Sequence, residues 1–182
     1  MNTYIAMLRG INVSGQKKIK MADLRAHLAE LAFGNIRTYI QSGNIIFEHE
    51  ETSASYLEDK IKQKILEKYG FEVPVLVKLS ADFEHLLSHN PFLKDPAKET
   101  KRMYVTFLAE EPQAEGLAKL QTVDYAPEEY ILEGKEIYFF SPLGYGRAKM
   151  NNSFFEQKLK VAATTRNWRT INKLLEMTHQ KM

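Results

Sequence analysis

The chain has no cysteine. That excludes disulfides, thiolate nucleophiles and cysteine-held zinc or iron–sulfur centres. It has no apolar run near the roughly 20 residues that a spanning helix requires. Its first residues, MNTYIAMLRG, show no basic stretch followed by a long apolar one. A cytoplasmic protein without membrane association is therefore expected. No strong charge of one sign is present either: 25 basic residues stand against 23 acidic ones, too close to name a partner. The Gly-x-Ser-x-Gly elbow, the His-Glu-x-x-His pair and the Asp-x-Asp calcium loop are all missing, so no metal site or cofactor is expected, and catalytic residues, if the chain is an enzyme, are not named by any motif. His85 and His89 stand four apart on an expected helix, but no third ligand is spaced to join them. What remains is a 182-residue chain, 44% hydrophobic and 26% charged, the composition of one domain or two small ones with a packed core.

Hydrophobic periodicity orders that core. Tyr4–Leu8 reads as a strand, and Met21, Leu24, Leu28 and Leu31 make a helical stripe within 21–33 that Gly34 and Asn35 end. Ile36–Ile40 and Asn44–Glu48 flank a Ser-Gly turn as a hairpin. Thr52 or Ser53 caps a helix through Tyr69 with Tyr56, Leu57, Ile61, Ile65 and Leu66 inward, and Gly70 closes it. A strand over 71–78 and a helix from Ser80 follow. The second half repeats the order: a strand over 102–109, a helix from Pro112 to Leu120, a hairpin of 129–132 and 136–140 around Glu133-Gly134-Lys135, and a helix over 154–160 capped by Ser153. Residues 161–166 suit a strand or a helix extension, and Asn167 caps a last helix to Thr178. Strand–helix–strand–strand–helix–strand, twice, is the split β-α-β unit. The expected fold is α+β, with two ferredoxin-like halves whose mainly antiparallel sheets carry helices on one face. The halves are 1–90 and 101–182, joined by 91–100, where two prolines and mixed charge suit a linker.

Three stretches, MLRGINVSGQKKIKMADL (7–24), TYIQSGNIIF (38–47) and TTRNWRTINKL (164–174), resemble the bacterial "domain of unknown function 1697" family in order and spacing, across essentially the whole chain. The resemblance implies a two-part α+β fold with ferredoxin-like halves. It brings no established activity, cofactor or catalytic residue, so function has to come from the residues.

The loop after the first strand holds Arg9, Gly10, Asn12, Ser14, Gly15, Gln16, Lys17, Lys18 and Lys20. Glycines let backbone N–H groups turn toward a ligand, arginine offers a planar fork for phosphate or carboxylate, and lysine adds a point charge. It is no P-loop, because Gln16 follows Gly15 where that motif needs Lys-Ser/Thr. A solvated connection would have the same composition. If the second strand neighbours the first and runs against it, the 41–44 turn lies at the far end from this loop, and Arg37 and Thr38 approach it instead. The candidate ligand set is Arg9, Asn12, Ser14, Gly15, Lys17, Lys18 and Arg37.

A second signal is charge asymmetry. From Gly146 onward, eight basic residues meet two acidic ones, for +6, while the rest holds 17 and 21, for −4. With aromatics interleaved, Arg147, Lys149, Arg166 and Arg169 make an alternative set for phosphate contacts with RNA or DNA. Trp168, Ile171 and Leu175, at helical spacing, read as core, and no RNA-recognition signature occurs. Three classes of function stand: a binding protein for a small phosphate- or carboxylate-bearing ligand, a nucleic-acid-associated protein, and an enzyme without a recognised motif.

Overall fold

A computed structural model describes residues 1–180. The elements run β1 (Asn2–Leu8), α1 (Met21–Ala29), β2 (Gly34–Tyr39), β3 (Asn44–His49), α2 (Ala54–Tyr69), β4 (Val75–Leu79) and α3 (Ser80–His89). They continue as β5 (Met103–Leu108), α4 (Ala114–Gln121), β6 (Glu129–Glu133), β7 (Glu136–Phe140), α5 (Asn152–Leu159), β8 (Ala163–Asn167) and α6 (Trp168–His179). Residues 161–166 thus fall mostly on a strand. The fold is α+β, with two four-stranded antiparallel sheets ordered β2-β3-β1-β4 and β6-β7-β5-β8. Each is built from two β-α-β crossovers, which is the ferredoxin-like arrangement. The chain forms two compact units, Met1–Leu86 with the chain from Lys173, and Leu87–Asn172.

In the first unit, Tyr4, Ala6, Leu8, Ile45, Phe47, Val75 and Val77 line one sheet face and pack against Leu24 and Leu28 of α1 and Leu57, Ile61 and Ile65 of α2. The opposite face, with Ile5, Met7 and Ile46, is buried as well. In the second unit, Tyr104, Leu108, Ile137, Phe139 and Ala163 pack on Leu120 of α4 and on Phe155 and Leu159 of α5. A helix carboxylate covers one edge strand of each sheet: Glu58 accepts from the Val77 N–H at 2.9 Å and Glu156 from the Ala163 N–H at 2.8 Å. Pairing an edge N–H in this way removes it as a template for another strand.

Local signals set most boundaries. Ser53 Oγ accepts from the Tyr56 N–H, Gly70 ends α2 in the left-handed region, and Asn167 Oδ1 accepts from the Thr170 N–H at 2.8 Å. Four expectations change. Helix α1 stops at Ala29, and Ala32 at positive φ turns the chain toward β2, where Asn35 at positive φ lies in the irregularity between Gly34 and Arg37. Leu31 and Phe33 still pack on the core from outside the helix. Asn151, not Ser153, caps α5, accepting from the Phe154 N–H at 3.0 Å. Strand β4 begins at Val75 rather than at residue 71. Tyr56 and Leu66 are 47% and 45% exposed, since the inward stripe of α2 is Leu57, Ile61 and Ile65.

Candidate functional site

The loop of residues 9–20 leaves β1 and enters α1, and its internal structure is well defined. Val13–Gln16 forms a small hairpin turn in which the Gln16 N–H donates to Val13 O at 2.9 Å. Its central residues Ser14 and Gly15 have φ of 51° and 76°, as a primed turn demands. Asn12 fixes the base of the loop. Its Oδ1 accepts from the Ile19 N–H at 2.9 Å, while its Nδ2 donates to Ile19 O at 2.9 Å and to Gln41 O at 2.8 Å. Both amide protons are thereby used, so Asn12 shapes the loop. Ile11 and Ile19 anchor the two ends in the core.

The Gln41 bond corrects the expected position of the hairpin turn. Strand β1 pairs with β3, not β2, and Met7 faces Asn44 in the register. The β2–β3 turn therefore sits beside the end of β1, next to the basic loop. The Leu8 N–H donates to Gly43 O at 2.8 Å. A Cβ on Gly43 would lie 2.6 Å from Leu8 Cβ and 2.8 Å from Ile11 Cδ1, and the residue has φ of 79°. Only glycine admits that approach. Among the described residues, four of the seven non-glycine residues at positive φ, Asn12, Ser14, Lys17 and Ile40, gather in this loop and turn. Left-handed conformations held in a fixed scaffold are concentrated at functional sites.

Arg9, Lys17, Lys18 and Lys20 lie in the loop, and no acidic residue occurs between 9 and 22. Lys17 Nζ donates to Glu72 O at 2.6 Å and stands 5.9 Å from the Phe71 ring centroid. Ser14 and Lys18 are exposed. Arg37 is placed elsewhere. It faces Ile46 on the sheet face opposite α1 and α2, and its guanidinium donates to the carbonyls of Met177 and Gln180, where a cation complements the end of α6. Thr38 accepts from Arg25 Nη1 at 2.6 Å. Of the seven candidates, the loop brings Arg9, Asn12, Ser14, Gly15, Lys17 and Lys18 together and leaves Arg37 out.

Beside Lys17 runs a groove of about 530 Å³, lined also by Lys62, Gln63 and Leu66 of α2 and by Glu72, Val73 and Pro74. Sequence reasoning passed over these residues. Leu66, one position off the Ile61–Ile65 stripe, was the available signal. The second unit has a counterpart of about 390 Å³ at the matching place, lined by Glu110, Glu111 and Glu115 and by Lys119, Lys158 and Lys160. There the connection from β5 to α4 is only residues 109–113 and carries Glu110 and Glu111. The backbone frame is the same in both units: Leu108 N–H to Lys135 O mirrors Leu8 to Gly43, and Ala109 N–H to Ala162 O mirrors Arg9 to Pro74.

The alternative basic set is dispersed in character. Arg147, Lys149 and Arg169 are exposed. Arg166 is buried on the face of the second sheet opposite α4 and α5. Its Nη1 donates to Thr164 Oγ1 at 2.9 Å and to Thr165 O at 3.0 Å, and burial pulls its pKa down to about 10. A side chain held so deeply cannot reach a phosphate backbone. Lys181, counted in the basic segment, lies outside the described residues. Among those residues, no helix is long and apolar enough to cross a membrane.

Comparison with known proteins agrees with this frame. No curated protein matches the chain. The solved structure of conserved bacterial protein SP0830 from Streptococcus pneumoniae is similar, with a TM-score of 0.76 and 25% identity over 97% of this chain and 98% of that one. Residues 1–138 match the family described as "Protein of unknown function (DUF1697)", a span that holds the basic loop, the β2–β3 turn and the groove, and the chain belongs to that family.

Proposed function

We propose that the protein binds a small phosphate- or carboxylate-bearing ligand at the β1–α1 loop, with Arg9, Ser14, Gly15, Lys17 and Lys18 around the anion and Asn12 holding their backbone in place. One observation carries the reading. The two units share a frame, yet the same connection has twelve residues and four cations in the first, and five residues and two carboxylates in the second. The fold needs only the short form. The longer one is held rigidly in left-handed conformations that bring a cost of order 1–3 kcal/mol each. Loops on a rigid scaffold are where binding residues concentrate.

The test is a thermal-shift panel of nucleotides, sugar phosphates, acyl phosphates and short RNA on the wild type and on Arg9→Ala/Lys18→Ala. A bound ligand at a hundredfold excess over its Kd stabilises by about 2.7 kcal/mol, which for a chain of this length is a shift of roughly 5–10 °C. The expected result is a saturable shift with one class of small anion that the double variant loses. A full shift in the variant, or stabilisation by RNA alone that disappears in high salt, refutes the reading.

A further inference from the structure

We infer that the groove beside Lys17 receives the apolar body of the ligand, so that the compound is an amphiphilic monoanion: a carboxylate or phosphodiester head at Lys17 and Lys62, and a hydrocarbon or aromatic tail along the exposed Leu66 and Pro74. The inference rests on the anion-binding reading of the β1–α1 loop and adds the class of molecule.

Four observations support it. At about 530 Å³, the groove is larger than a bare anion fills, and it lies within the range of small-molecule sites. Its wall is apolar where a helix surface is usually polar: Leu66 is 45% exposed, on the side of α2 that faces away from the Leu57, Ile61 and Ile65 core stripe. The cations come from two separate elements, Lys17 from the loop and Lys62 from α2. Lys17 is positioned in advance, with one ammonium proton on Glu72 O at 2.6 Å and two left to donate. Lys62 has only a long contact of 3.4 Å with Asp59. Finally, the charges on the lining are Lys17, Lys62 and Glu72, a balance of +1 that one negative head neutralises. The matching groove of the second unit, with three acids and three lysines, has no such surplus.

The experiment is isothermal titration of the full chain with butanoate, hexanoate, octanoate, octan-1-ol and octylamine at constant ionic strength, on the wild type, Leu66→Gln, Lys62→Gln and Arg9→Ala/Lys18→Ala. At about fourfold per buried methylene, each two-carbon step should tighten binding about fifteenfold until the groove is full. Octan-1-ol should bind at least tenfold more weakly than octanoate, and octylamine should not bind. Leu66→Gln should flatten the length dependence, and Lys62→Gln should shrink the preference for octanoate over the alcohol, since Lys17 remains. Both positions are on the surface, so the variants fold. Equal affinity across chain lengths, equal binding of acid and alcohol, or an unchanged Leu66→Gln overturns the inference. A phosphate panel that stabilises the wild type without any length dependence leaves the loop reading standing and removes the groove. A length dependence that survives in Arg9→Ala/Lys18→Ala, with no response to the phosphate panel, does the reverse.

Discussion

Replacing Gly43 with alanine should be among the most damaging single-methyl changes in the first unit. Two separate costs arise. The residue has φ of 79°, and an L side chain in the left-handed region costs about 1–2 kcal/mol. The new Cβ would also stand 2.6 Å from Leu8 Cβ and 2.8 Å from Ile11 Cδ1. Leu8 Cβ is fixed to the backbone, and Ile11 Cδ1, the end of its side chain, is packed in the core, so the clash has to be relieved by moving β1 or the loop base, at about 1–3 kcal/mol. The expected loss is about 2–5 kcal/mol. Gly10→Ala is the control. Its φ is 71° and a Cβ there meets nothing within 4 Å, so it carries the backbone cost alone. The gain from restricting the unfolded chain, about 0.4–1 kcal/mol, is common to both variants and cancels in the difference. Urea denaturation of the two variants beside the wild type reads that difference directly. A Gly43→Ala at least 1 kcal/mol less stable than Gly10→Ala supports the close approach of turn and loop. Equal losses would show that the turn does not press on β1, and the account of how this end of the sheet is built would be wrong.

Further outcomes follow from the same geometry. Asn12→Ala removes three hydrogen bonds to Ile19 and Gln41 and should cost about 2 kcal/mol. Amide exchange should then quicken across 12–19, while the α2 core amides stay protected. Arg37→Ala releases the Met177 and Gln180 carbonyls, so exchange at the end of α6 should rise with little change in the β1–α1 loop; an equal response in both places would argue against their separation. Hydrogen bonds from Lys64 and then Lys68 hold the Glu30 carboxyl down at about 2. A depressed carboxylate stabilises the fold above its unfolded value, and that contribution is lost as pH falls through about 2. Carbon-detected NMR titration should find the midpoint there, and Lys64→Ala should move it up toward the ordinary carboxylate range. Because these groups face solvent, added salt should shrink the shift.

The order of elements was legible because each was written locally. Leu57, Ile61 and Ile65 recur at helical spacing, Ser53 and Asn167 cap, Gly70 stops, and Glu133-Gly134-Lys135 turns between two apolar runs. Periodicity of 3.6 or 2 and turn chemistry involve residues only a few positions apart, so sequence alone determined the doubled strand–helix–strand–strand–helix–strand order and the basic character of the loop. Which strands lie side by side was decided by the tertiary structure. That β3, and not β2, pairs with β1 depends on burying both crossover helices on one sheet face, and no short window holds that information. The layout of the candidate site followed from it: the β2–β3 turn came beside the loop, Asn12 found Gln41, Gly43 met Leu8, and Arg37 was carried away to the end of α6. The groove was hidden for the same reason. Lys17, Lys62 and Pro74 are far apart in the chain, and an exposed Leu66 looks like core until the fold shows which side of α2 is inward. Arg166, one more cation in a basic segment when read along the chain, became a buried guanidinium only once β8 was laid against β5.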